Sequence, residues 1–162
     1  SRLLALERAI LPVMSDSSQV TRPLATHPLA TVGALVRCQD KYLIVETTKW
    51  RGSWGVPGGK IEWGETMEAA LKREFLEEVG LNLSDVRFAM VQEAVHSSEF
   101  HRDAHFILLN FFALSQSFVV EYNEEIVRHA WVTLEEALEY PLNSYTVALV
   151  NRALEDETQG TV

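Results

Sequence analysis

Cysteine is nearly absent from the chain: Cys38 is the only one among 162 residues. A single thiol excludes an internal disulfide framework and a cysteine-based zinc cluster, and it agrees with a reducing, cytoplasmic setting. Positive charge is also scarce. Fourteen Lys+Arg stand against 23 Asp+Glu, giving a formal net charge of −9 and a pI near 5.0. That balance argues against non-specific binding to nucleic acid or to an anionic membrane face, so neither is expected as a partner. It leaves room for a phosphate ligand, provided local basic groups or a divalent cation separate the two anions. Long hydrophobic runs are missing too. The longest near the middle, 106–114, is interrupted by Asn110 and is too short for a membrane span.

What remains is a composition of 47% apolar and 23% charged residues, that of one ordinary globular domain. A chain of this size buries roughly two thirds of its unfolded surface without staples. Residues 1–14, SRLLALERAILPVM, set Leu3, Leu6, Ile10 and Val13 at helical spacing, while Glu7 and Arg8 break any signal-peptide core. A docking helix and an added extension both fit. Residues 15–28 are rich in Ser, Thr and Pro, so 1–28 reads as an N-terminal extension or arm, 29–156 as the folded domain and 157–162 as a frayed tail. Within the domain the pattern predicts a hairpin of strands 30–37 and 42–47, then a Gly- and Trp-rich stretch at 49–59. A helix over 67–79 capped by Gly80 follows, then strands 86–95 and 104–114. Thr133 and Glu136 form a capping box for a short helix to about 140, and Asn143-Ser144 cap a last helix to about 154. That order implies a mixed sheet packed between helices.

The informative segment is 59–81, GKIEWGETMEAALKREFLEEVGL. At roughly 100° per residue, Glu74, Glu77 and Glu78 fall within about 100° of one another on the helix. Like charges so placed repel by a few tenths of a kcal/mol per pair, so a purely structural helix gains nothing from them. An acidic face of this kind is either a solvated surface or a seat for a hard cation such as Mg²⁺, which takes carboxylates, water and substrate phosphates. Met67, Leu71, Phe75 and Val79 supply an apolar stripe on the other side. Gly58-Gly59 upstream lets backbone approach a metal or phosphate closely.

The same segment resembles the signature of the Nudix hydrolases, in the pattern of Gly59, Glu65, Arg73, Glu74, Phe75, Glu77, Glu78, Gly80 and Leu81. Phe75 departs from the usual aliphatic residue. The resemblance implies an α/β/α sandwich with a mixed β-sheet and a loop–helix–loop motif, binding Mg²⁺ or Mn²⁺. It implies hydrolysis of a nucleoside diphosphate linked to another moiety. Glu74, Glu77 and Glu78 would then be metal ligands, joined by the Gly59 carbonyl. Arg73 would orient the carboxylates, and Glu65 would support the loop. Family members often add an acidic residue from a loop before a late strand; Glu125 fits best, with Glu124 and Glu121 behind it.

Outside the motif, Lys49 and Arg51 are candidates for substrate phosphates or plain surface charges. His96, His101 and His105 crowd the connection at 96–105, which reads as a polar turn, a substrate contact or a second metal site. The general base stays open between Glu74, Glu125 and a cleft histidine. Trp54 suggests core packing rather than base stacking, and Cys38 a buried strand position. Subfamily markers for ADP-ribose or diadenosine polyphosphates are missing at 95–98, which leaves nucleoside triphosphates, nucleotide sugars and oxidised nucleotides in view, the first two favoured. Two rival readings are a nucleotide-sensing domain without turnover and a prenyl-diphosphate isomerase. The second normally uses a catalytic cysteine and a degraded motif. Oligomeric state stays open between monomer and homodimer.

Overall fold

The computed structural model describes residues 27–160. The arm and docking-helix expectations for 1–26 lie outside them, and no described helix is long and apolar enough to cross a membrane. Among the described residues seven strands form one mixed sheet: β1 (Leu29–Cys38), β2 (Lys41–Thr47), β3 (Trp54–Gly55), β4 (Gly58–Lys60), β5 (Leu83–Val95), β6 (His105–Ser115) and β7 (Ile126–Val132). Among the described residues three helices accompany them: α1 (Met67–Val79), α2 (Leu134–Ala137) and α3 (Ser144–Thr158).

The backbone of the sheet runs β3-β2-β1-β6-β5, with β7 on β2 and β4 on β1. β1 and β6 are parallel in unbroken register from Leu29–Phe106 to Arg37–Leu114, while β5 runs antiparallel to β6. The predicted hairpin is present, turning at Gln39 with φ of 55°. Near that turn Arg37 and Cys38 pair with β2; farther along, β4 takes the same edge of β1, matching Val32 to Gly59 and Gly33 to Gly58. That replacement brings the two glycines onto the sheet directly before α1.

Period-2 alternation in β1 divides the core. Val32, Ala34 and Val36 pack with Leu71, Phe75 and Val79 of α1, while Leu35 packs on the other face with Leu149 and Val150 of α3. The arrangement is the expected α/β/α sandwich. Each fully buried Leu, Phe or Val of α1 contributes about 1.5–3 kcal/mol, so the acidic helix is anchored firmly. Thr66 caps its start by accepting from the Ala69 N–H, and Gly80 ends it in the left-handed region at φ 69°.

Several local expectations differ from the structure. Met67 is exposed, and Ala70 completes the buried stripe in its place, because the helix turns its first residue away from the sheet. The 49–59 stretch contains two short strands rather than loop alone. The last helix continues to Thr158, so Glu157, expected in the frayed tail, instead accepts a hydrogen bond from the Tyr42 hydroxyl at 3.1 Å. Trp54 is buried and meets Tyr140 edge to face, and Cys38 is buried, both as expected.

Candidate active site

A cavity of about 570 Å³ lies where β1, β4 and α1 meet the loops after β2 and β5. Its acidic wall carries Glu74, Glu77 and Glu78 from α1 together with Glu125 from the loop before β7. Gly58 and Gly59 lie against this wall because no side chain fits there. A Cβ on Gly59 would sit 2.4 Å from Oε2 of Glu74, and one on Gly58 would sit 2.1 Å from the Val32 carbonyl oxygen.

Arg73 organises the group from behind. Its guanidinium grips Glu65 through two bonds, Nε to Oε2 at 2.6 Å and Nη2 to Oε1 at 2.8 Å. Nη1 donates to Glu74 at 2.7 Å and to Glu77 at 3.3 Å, and Nη2 also reaches the Lys60 carbonyl at 3.1 Å. A planar fork of five donors suits that task, whereas a lysine could not divide itself so. The hydrogen bonds from Arg73, aided by the Glu62 N–H, hold the Glu65 carboxyl down at about 2. The repulsion expected between Glu74 and Glu77 is thus bridged by a cation.

Glu78 is in a different environment. It is buried at 3% exposure, and its Oε2 accepts from the Gly58 N–H at 3.0 Å. Burial pushes its carboxyl well above the usual carboxylate range, Lys49 opposes this, and the nearby Glu74 and Glu125 add to it. Lys49 is the neighbouring cation, 2.9 Å from Oε2 of Glu125. A buried carboxylate beside two others is costly unless a positive charge joins them. The donors, carboxylate oxygens plus a nearby glycine backbone, have the hard-oxygen chemistry that Mg²⁺ or Mn²⁺ takes. In the arrangement seen, Arg73 holds Glu74 and Glu77 and Lys49 holds Glu125, and no three acidic, His or Cys side chains converge on one point among the described residues.

The other sequence candidates divide. Lys49 and His101 line the cavity; Arg51 and His96 do not. Arg51 instead donates from Nε to the Phe100 carbonyl at 2.9 Å, and His96 pairs with Asp103 in the open. Both serve the 96–104 loop, which is tied on three sides: the His101 N–H to the Lys49 carbonyl, Arg51 to Phe100, and Glu99 to Ser144. That tethering puts Phe100, His101 and Arg102 into the cavity. Glu124 and Glu121 lie outside it, and no second metal cluster forms around His96, His101 and His105 among the described residues.

The cavity also holds polar residues to which the sequence alone assigns no role, among them Arg102, Asn110, Asn123 and Tyr145. Asn110 had a signal, as the one polar residue inside an apolar strand. The others are ordinary loop or helix-start residues whose role depends on tertiary placement.

The family model for the NUDIX domain matches residues 27–152. The nucleoside triphosphatase NudI of Escherichia coli (strain K12) is 30% identical over 122 residues, covering 69% of this chain and 86% of the relative. Among solved structures, a MutT NUDIX hydrolase from Burkholderia pseudomallei superposes with a TM-score of 0.68 at 25% identity, covering 78% of this chain and 98% of that one. A NUDIX hydrolase from Nitrosomonas europaea gives 0.64 at 27% identity, with coverages of 83% and 91%.

Proposed function

This chain belongs to the NUDIX family, and from that premise we propose that it is a Mg²⁺-dependent pyrophosphohydrolase acting on nucleoside triphosphates. The family membership supports the reaction class. Kinship with NudI supports the triphosphate, and the missing markers for ADP-ribose and diadenosine polyphosphates agree with it. The observation that carries the reading is the acidic wall itself: Glu74, Glu77, Glu78 and Glu125 around one cavity, with Gly59 pressed against Glu74.

Glu74, Glu77, Glu78 and Glu125, with the Gly59 carbonyl, are the groups that would hold Mg²⁺. When bound, the ion neutralises phosphate charge and lowers the pKa of an attacking water. The protein's own part is to position and to move a proton. Arg73 keeps Glu74 and Glu77 turned in one direction, and Glu65 keeps Arg73 in place. Lys49, released from Glu125, is placed to meet a terminal phosphate, and His101 and Arg102 line the same space. Glu74 or Glu125 accepts the proton of the water that attacks phosphorus, and a P–O–P bond breaks.

Hydrolysis of nucleoside triphosphates, nucleotide sugars, ADP-ribose and dinucleoside polyphosphates, with products resolved by chromatography, tests the reading. Fastest turnover of a triphosphate with Mg²⁺, to the monophosphate and pyrophosphate, is expected. Preference for a nucleotide sugar would refute the substrate assignment. Tight binding without turnover would favour a sensing domain.

A further inference from the structure

One buried amide in the cavity has its direction set by a chain of obligate partners. Asn110 lies on β6, 7% exposed, directly across the parallel register from Gly33. The Gln92 side-chain nitrogen donates to the Tyr145 carbonyl at 2.9 Å and to Oδ1 of Asn110 at 2.9 Å. A backbone carbonyl can only accept, so the group facing it must be the amide nitrogen of Gln92. The second proton of that nitrogen then requires an acceptor, which makes the facing atom of Asn110 its oxygen. The Asn110 NH₂ is left pointing the other way. It lies 4.0 Å from where a Cβ on Gly33 would be, so the glycine leaves its approach open. Asn110 lines the cavity, and no protein acceptor for that NH₂ is seen among the described residues.

Next to it the cavity is aromatic. Trp50 meets Phe100 at 4.8 Å and Tyr145 at 5.6 Å between ring centroids, and Phe100 meets Phe106 at 4.9 Å, all tilted or edge to face. Such a wall suits a flat heterocycle, and Asn110 supplies one fixed donor at its margin. We infer that Asn110 is a specificity-determining residue that donates to a ring carbonyl of the bound base, selecting keto bases over their amino counterparts, with Gln92 as its positioning residue. This rests on the nucleotide-hydrolase reading above. An amino group in place of the carbonyl sets donor against donor and leaves the buried amide unpaired, a mismatch that costs roughly ten-fold or more in kcat/KM.

The test compares UTP with CTP and GTP with ATP, by kcat/KM with Mg²⁺ and, alongside, by calorimetric binding of UDP, CDP, GDP and ADP. The keto nucleotide is expected to be favoured at least ten-fold within the ring class the cavity accepts. Asn110→Asp, close in shape but presenting an acceptor, should reverse the ratio. Asn110→Leu and Gln92→Leu should bring it toward one, the latter by letting the Asn110 amide turn. A merely structural role would lower all rates together and leave the ratios intact. Unchanged ratios in folded Asn110→Leu and Gln92→Leu would overturn the inference while leaving the hydrolase reading in place. Keto-selective binding that Asn110→Asp reverses, without turnover of any nucleotide, would support the inference and defeat the hydrolase reading.

Discussion

Two neighbouring glycines allow one chemical change to be tested in two physical settings. At Gly58 an added methyl meets backbone: its Cβ would be 2.1 Å from the Val32 carbonyl oxygen and 2.7 Å from the Gly33 Cα, within the β1–β4 pairing. Relief requires a shift of about 1 Å between hydrogen-bonded strands. Overpacking of that kind costs about 3 kcal/mol, and the lower unfolded-state entropy of alanine returns up to ~1 kcal/mol. The net loss of about 2 kcal/mol should lower Tm by about 4–8 °C for a domain of this size. At Gly59 the same methyl would be 2.4 Å from Oε2 and 2.5 Å from Cδ of Glu74. Here the obstacle is the far end of a side chain, which can swing aside at less than ~1 kcal/mol to the fold. If Glu74 holds the metal as proposed, a displacement of about 1 Å there should lower kcat about 10²-fold. Thermal unfolding and steady-state hydrolysis of the two alanine variants, measured side by side, check both halves. Near-normal activity in a folded Gly59→Ala would show that the close approach to Glu74 has no catalytic role. Wild-type melting of Gly58→Ala would refute the packing argument.

Three further outcomes are expected. Glu77→Gln should leave stability within about 0.5 kcal/mol, since an exposed ion pair at 3.3 Å to Arg73 is all that it loses, and should greatly lower turnover. The Glu65 carboxyl, held at about 2 against an ordinary 4.5, favours the folded state above pH 4.5, and that contribution disappears as pH falls toward 2. Glu65→Gln should therefore melt lower than the parent at neutral pH, with the gap closing in acid; a gap that widens would contradict the pairing with Arg73. Arg51→Ala frees the Phe100 carbonyl and loosens the 96–104 loop, so KM should rise several-fold with kcat little changed, and a loss of kcat alone would place Arg51 in the chemistry instead.

Much of the site was legible in the sequence because its signals are local. The Glu-rich helix, its Thr66 start and its Gly80 stop depend on residues within one or two turns, and the carboxylates inherit their side of the helix from that periodicity. Strands β3 and β4, two and three residues long, carry no periodicity of their own and exist because β2 and β1 offer edges to pair with. Arg51 and His96 lie outside the cavity lining for a related reason. Charge and proximity to a motif suggest a substrate contact, but the loop after β5 folds back and takes Arg51 as a tether. Asn110 shows the opposite case. Its interruption of an apolar run was visible, yet its meaning required Gln92 from a neighbouring strand and the Tyr145 carbonyl from a helix 53 positions beyond Gln92.

The central claim is that the carboxylates of α1 support metal-dependent cleavage of a nucleoside triphosphate. The most direct measurement is the rate of pyrophosphate release from nucleoside triphosphates by the parent chain and Glu77→Gln, each with Mg²⁺ and with EDTA. Turnover confined to the parent with Mg²⁺ is predicted. Turnover that survives EDTA, or that Glu77→Gln keeps at the parent's rate, would contradict it.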